Sequence, residues 1–141
     1  MEIGEGPGWR LVVDPTRAPF IALIGGDGWA SELTAAELGA LQQAAGRLTA
    51  QHRAMADVLM AEEAVAMEVE LPIGDPEAGD GGSLWLGLEG DRHHWTLQLV
   101  LTPAPGGRGL EGCWDAAASE AFSAALERLR PAERGVGDQD W

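Results

Sequence analysis

Between Val65 and Asp115 apolar and polar residues alternate with period two through four successive segments, a pattern that suits half-buried β-strands. Val65, Met67, Val69 and Leu71 share one side against Ala66, Glu68 and Glu70. Leu84, Leu86 and Leu88 oppose Trp85, Gly87 and Glu89; Trp95, Leu97, Leu99 and Leu101 oppose Thr96, Gln98 and Val100; Leu110, Gly112 and Trp114 oppose Glu111, Cys113 and Asp115. The long acidic Gly-rich stretch Pro72–Gly82, the tight Gly90–His93 and the Pro/Gly-rich Thr102–Gly109 are turn-forming, so the four strands read as an antiparallel meander.

Upstream the period changes. Thr34 and Glu37 have the spacing of a capping box, Leu33 and Leu38 that of a hydrophobic staple, and Leu38, Leu41, Ala45, Leu48, His52, Met55 and Leu59 recur in steps of three and four. This predicts a helix from residue 35 to about 62, about 40 Å long at 1.5 Å per residue. Before it, the apolar runs Trp9–Val13 and Phe20–Ile24 flank a two-proline turn, and Trp29–Leu33 forms a third extended piece. After the meander, Asp115 can cap a second helix that carries Phe122, Leu126 and Leu129 and stops at Pro131. The predicted fold is α+β, with antiparallel sheets in the order β-β-(β)-α-β-β-β-β-α and the long helix packed on the sheet. One domain spans 1–131 and a flexible tail 132–141, with Trp141 at its end as an ornament or a docking residue.

Composition bounds the chemistry. Nine basic against 23 acidic residues give a net charge of −14, which repels nucleic-acid phosphates and anionic membranes and favours solubility or a cationic partner. All nine are Arg; with no Lys and no Tyr, Schiff-base lysines, P-loop lysines and Tyr nucleophiles are excluded. The single Cys113 forbids an intrachain disulfide. An acidic Gly-rich N-terminal segment and no apolar run of 18 residues predict a cytoplasmic protein without membrane contact.

Matching apolar faces across the meander predicts its register. The apolar rows are then Leu71, Leu84, Leu99 and Gly112, beside Leu86, Leu97 and Trp114. The opposite rows are Glu70, Trp85, Gln98 and Cys113; Glu68, Gly87, Thr96 and Asp115; and Ala66, Glu89 and His94. This face is either plain solvated sheet or a partner-binding surface centred on Trp85, with Glu68, Glu70, Gln98, Thr96 and Asp115 around it. Glu68 with Asp115 as a metal or acid–base pair is a lesser reading, because His94 supplies the only imidazole in these rows. No cofactor or metal site is expected. Asp75, Glu77 and Asp80 lack calcium-loop spacing, His93 and His94 point to opposite sides, and the Gly-x-Gly runs lack the context of a phosphate loop. Cys113 reads as a half-buried thiol without a base, and His52 as a satisfied histidine on the helix seam.

Five segments in order carry a resemblance: Gly8-Trp9-Arg10-Leu11; Leu23-Ile24-Gly25-Gly26-Asp27-Gly28-Trp29-Ala30 with Glu32-Leu33-Thr34; Gly81-Gly82-Ser83-Leu84-Trp85-Leu86; Leu88-Glu89-Gly90-Asp91; and Glu111-Gly112-Cys113-Trp114-Asp115. Over residues 4 to about 130 the chain resembles a cyanobacterial family of small proteins, domain of unknown function 1818. The resemblance implies a cyanobacterial cytosolic protein with a fold similar to the Whirly and transcriptional-coactivator class of single-stranded-DNA-binding proteins, and it brings no activity or site residues.

Fold alone does not carry function. Binding single strands needs a cationic groove with stacking platforms, whereas the rows around Trp85 hold carboxylates and no Arg. The leading expectation is therefore a non-enzymatic regulatory protein that binds a protein partner with a cationic surface and can form a homo-oligomer. A single-stranded-DNA binder using a surface around Arg10, Arg17, Arg47 or Arg53 is the alternative, and a small enzyme using His94, Glu89 or Asp115 the third.

Overall fold

The computed structural model describes residues 1–74, 81–103, 105 and 107–138, with side chains of the last helix described as far as Leu129. Asp75, Glu77, Asp80 and Trp141 lie outside the described residues. The first antiparallel sheet is the meander β1 (Glu2–Gly6), β2 (Trp9–Val13), β3 (Ala22–Gly26) and β4 (Trp29–Leu33). Helix α1 (Ala35–Ala56) leads to a second meander, β5 (Val65–Ile73), β6 (Gly82–Gly90), β7 (Trp95–Thr102) and β8 (Leu110–Trp114), and α2 (Ala116–Asp138) ends the described chain. The architecture is α+β, as the alternation and helical periodicity predict.

Strand β1 is an addition to the sequence reading. Glu and Gly are poor strand formers, so Glu2–Gly6 shows no strand signal of its own. Its glycines serve another purpose: a methyl at Gly6 would sit 2.5 Å from the Trp9 indole nitrogen, and one at Gly4 3.2 Å from the same ring. Trp9 thus lies back across β1, after a turn in which Gly8 takes φ +77°.

Helix α1 starts where its cap predicts. The Glu37 N–H donates to the Thr34 hydroxyl at 3.2 Å, and the Thr34 N–H donates to the Glu37 carboxylate at 2.8 Å. It ends earlier than expected, at Ala56 rather than residue 62. Met55, placed on the seam by the periodicity, is exposed, but the Leu59 N–H still bonds the Met55 carbonyl, and this closing turn keeps Leu59 buried without further helix. Helix α2 starts on Asp115, whose carboxylate accepts the Ala118 N–H at 2.8 Å. It continues past Pro131, where the sequence reading stops it; proline removes one hydrogen bond and bends a helix without obliging it to end.

Both helices lie on the inner face of the second sheet, and the first sheet packs mainly on α2. Helix α1 packs on β5 and β6 and α2 on β2 and β7, while the helices touch each other. Leu84, Leu86, Leu88, Leu97, Leu99 and Leu101 from the second sheet meet Leu38, Leu41 and Leu48 of α1 and Phe122 and Leu126 of α2 in one buried cluster. The sheets join where β3 and β4 meet β8. There the Trp29 indole of the first sheet donates to the Cys113 carbonyl at 3.2 Å, and the Trp114 indole of the second donates to the Gly25 carbonyl at 2.9 Å. The two rings meet edge to face at 5.1 Å, and Trp114 stacks on Phe122 at 4.4 Å. Gly112 makes room: a methyl there would lie 2.5 Å from the Trp29 ring.

Candidate functional site

With the helices on the inner side, no element among the described residues packs on the outer face of the second sheet, and its residue types follow from the strand alternation. Glu68 and Glu70 on β5, Glu89 on β6 and Glu111 on β8 are all exposed, and β5 to β8 contain no Arg. Trp85 lies among them, half-buried. It does not stand up from the sheet but lies along it: a methyl at Gly87 would sit 2.5 Å from its ring, and its indole N–H donates to Glu68 at 3.0 Å. The indole's polar atom is thereby satisfied and its flat face forms part of the surface.

The register differs from the sequence reading across β6 and β7. Glu70 faces Trp85 and Glu68 faces Gly87 as expected, but Trp85 faces Val100, Gly87 faces Gln98 and Glu89 faces Thr96. Gln98 still pairs with Cys113, and Glu111 completes the Trp85 row opposite Val100. A two-residue shift keeps every side chain on its own face, so alternation is blind to it. The turn decides. The Asp91 N–H bonds the His94 carbonyl, while the Asp91 carboxylate accepts the N–H groups of His93 and His94 at 2.8 Å each, making a four-residue connection that pairs Gly90 with Trp95. His94 therefore belongs to the turn and not to the sheet rows.

Asp115 also leaves the predicted face. It follows β8 and its carboxylate is committed to the α2 cap, so it does not form a pair with Glu68. Cys113 is exposed rather than half-buried, because none of the described residues packs over its side of β8. The structure thus gathers Glu68, Glu70 and Trp85 with Gln98 and Thr96 on one face, and sets Asp115 apart. Among the described residues no three His, Cys, Asp or Glu side chains gather as metal ligands, and no described helix is long and apolar enough to cross a membrane.

A second feature lies outside the sequence reading. A cleft of about 410 Å³ opens between the end of α1, the β6–β7 turn and α2. His52, Arg53, Arg92, Trp95, Glu120 and Glu127 line it. His52, 6% exposed, donates from Nε2 to the Asp91 carbonyl at 2.8 Å and sits 5.8 Å from the Trp95 ring. Arg92 donates to the Leu59 carbonyl at 3.3 Å. The His94 and His93 N–H groups hold the Asp91 carboxyl below its ordinary pKa range, so the turn is organised around an ionised carboxylate. The linear signal is the Asp91-Arg92-His93-His94 cluster, which only folding sets beside Arg53 of α1 and the two glutamates of α2.

These features define a class: an α+β protein in which four antiparallel strands and a helix occur twice, with α2 packed between the two sheets and α1 on the second. The chain belongs to the family described as Domain of unknown function (DUF1818), which matches residues 4–129. It is similar, at 31% sequence identity and a TM-score of 0.77, to a crystal structure from Prochlorococcus sp. NATL2A described as a protein with unknown function from the DUF155 family; the likeness covers 92% of this chain and 98% of that one. A comparison with curated proteins finds no match.

Proposed function

We propose that this is a non-enzymatic binding protein that engages a cationic protein partner through the outer face of its second sheet. One observation carries the reading: β5 to β8 hold four outward carboxylates, Glu68, Glu70, Glu89 and Glu111, around the flat Trp85 indole, with no cation among the strands. Such a face attracts Arg- or Lys-rich surfaces, and an aromatic plane amid carboxylates gives a guanidinium both a stacking partner and a counter-charge. The cyanobacterial source, the cytoplasmic location and self-association belong to the same proposal.

The single-stranded-DNA reading, which rests on the Whirly resemblance, has weaker support. Arg10 stands opposite Glu5 in the β1–β2 register, Arg17 pairs with Glu32 at 3.4 Å and Arg53 lines a cleft with two glutamates, so three of the four arginines have a carboxylate near them, while Arg47 stands exposed on α1. The test compares the wild type with Glu70→Gln/Glu111→Gln in titrations with an Arg-rich peptide and with a single-stranded oligonucleotide. Peptide binding is expected to fall with salt and to weaken at least about tenfold in the variant. Equal peptide affinity for both proteins, or tighter binding of the oligonucleotide, overturns it.

A further inference from the structure

The cleft beside His52 shares no residue with the sheet face, and its chemistry is different. Its cations come from α1 and the β6–β7 turn, as Arg53 and Arg92, and its carboxylates from α2, as Glu120 and Glu127. Among the described residues the ion pair found is Arg17 with Glu32, and none of these four groups takes part in one. The Ser123 hydroxyl oxygen, on the same lining, is sealed from solvent without a hydrogen-bond partner. Ser123 also borders a smaller void against α1, and its closed-off oxygen makes no contact with a ligand in the cleft. Trp95 adds an aromatic surface, held by the His52 ring and by the turn to which His52 is bonded.

We infer that this cleft binds a small zwitterion, a free amino acid with an apolar or aromatic side chain. A purely anionic ligand would meet Glu120 and Glu127, and a purely cationic one Arg53 and Arg92; a molecule with a carboxylate and an ammonium satisfies both. Guanidinium groups present a planar fork that matches a carboxylate, and glutamates accept from an ammonium. Trp95 receives the side chain. The volume of about 410 Å³ lies within the range of small-molecule pockets, roughly 300–1,000 Å³.

The experiment titrates the protein with the standard L-amino acids and follows the Trp95 indole N–H resonance by NMR, assigned with Trp95→Phe. For the best binder, the N-acetyl derivative, which lacks the ammonium, and the amide, which lacks the carboxylate, are titrated beside it, with inorganic phosphate as the anion control. The expected result is saturable binding with a Kd at or below about 1 mM, each blocked derivative at least about tenfold weaker, and a similar loss in Arg53→Gln and in Glu127→Gln. Both substituted side chains are exposed, so the variants are expected to fold. Absence of saturable binding by any amino acid, equal binding of a blocked derivative, or preference for phosphate overturns it.

Discussion

Trp114→Phe tests how the two sheets are held together. Phenylalanine keeps an aromatic ring to stack on Phe122 but loses the indole N–H that donates to the Gly25 carbonyl at 2.9 Å. Trp114 is 2% exposed, so water cannot replace the donor without a rearrangement. A buried acceptor left without its donor costs about 1–3 kcal/mol. The smaller ring leaves a void that adds about 1 kcal/mol. The expected loss is therefore about 2–4 kcal/mol. Trp29→Phe removes the reciprocal bond, which is longer at 3.2 Å and only half-buried, and is expected to cost only about 1 kcal/mol. Urea denaturation followed by far-ultraviolet circular dichroism measures both; with a slope of about 2 kcal/mol per M, the Trp114 variant shifts the midpoint by about 1–2 M. A Trp114→Phe loss no larger than that of Trp29→Phe would refute the assignment of this bond as the stronger half of the junction.

Gly87→Ala places a methyl group 2.5 Å from the Trp85 ring and should lift the indole off the sheet and away from Glu68. A cost of about 1 kcal/mol and a red-shifted Trp85 emission, isolated by difference against Trp85→Phe, are expected, and unchanged emission counts against the flat orientation. Asp91 has its carboxyl pKa lowered by the His94 and His93 N–H groups, so its contribution is full above the unfolded-state pKa and is lost as pH falls through the folded one. Asp91→Asn, which retains an acceptor but does not titrate, should lose less stability between neutral and acid pH than the wild type; identical acid profiles would contradict this.

The period-two segments reveal all four strands of the second sheet, and the Thr34/Glu37 box marks the start of α1 to the residue, because both signals are local. Strand β1 is hidden because its glycines matter only once Trp9 lies across them. The β6–β7 register is hidden because a two-residue slip leaves each face unchanged, and the Asp91 turn that decides it lies outside the alternation. Asp115 admits two readings, strand face and helix cap, and the cap prevails at the point where β8 ends. The cleft depends on bringing together α1, a turn and α2, which no linear spacing encodes.

The junction of the two sheets also orders the events of folding. Every strand pair in both meanders joins neighbours in sequence, so each sheet closes only short loops. The indole bonds at the junction instead span 84 and 89 residues. Loop-closure entropy and contact order place such contacts on the slow side of assembly, after the local hairpins. The tryptophans at β4 and β8 therefore act chiefly as a brake on opening, and the lifetime of the joined state, more than the rate at which either sheet forms, rests on them.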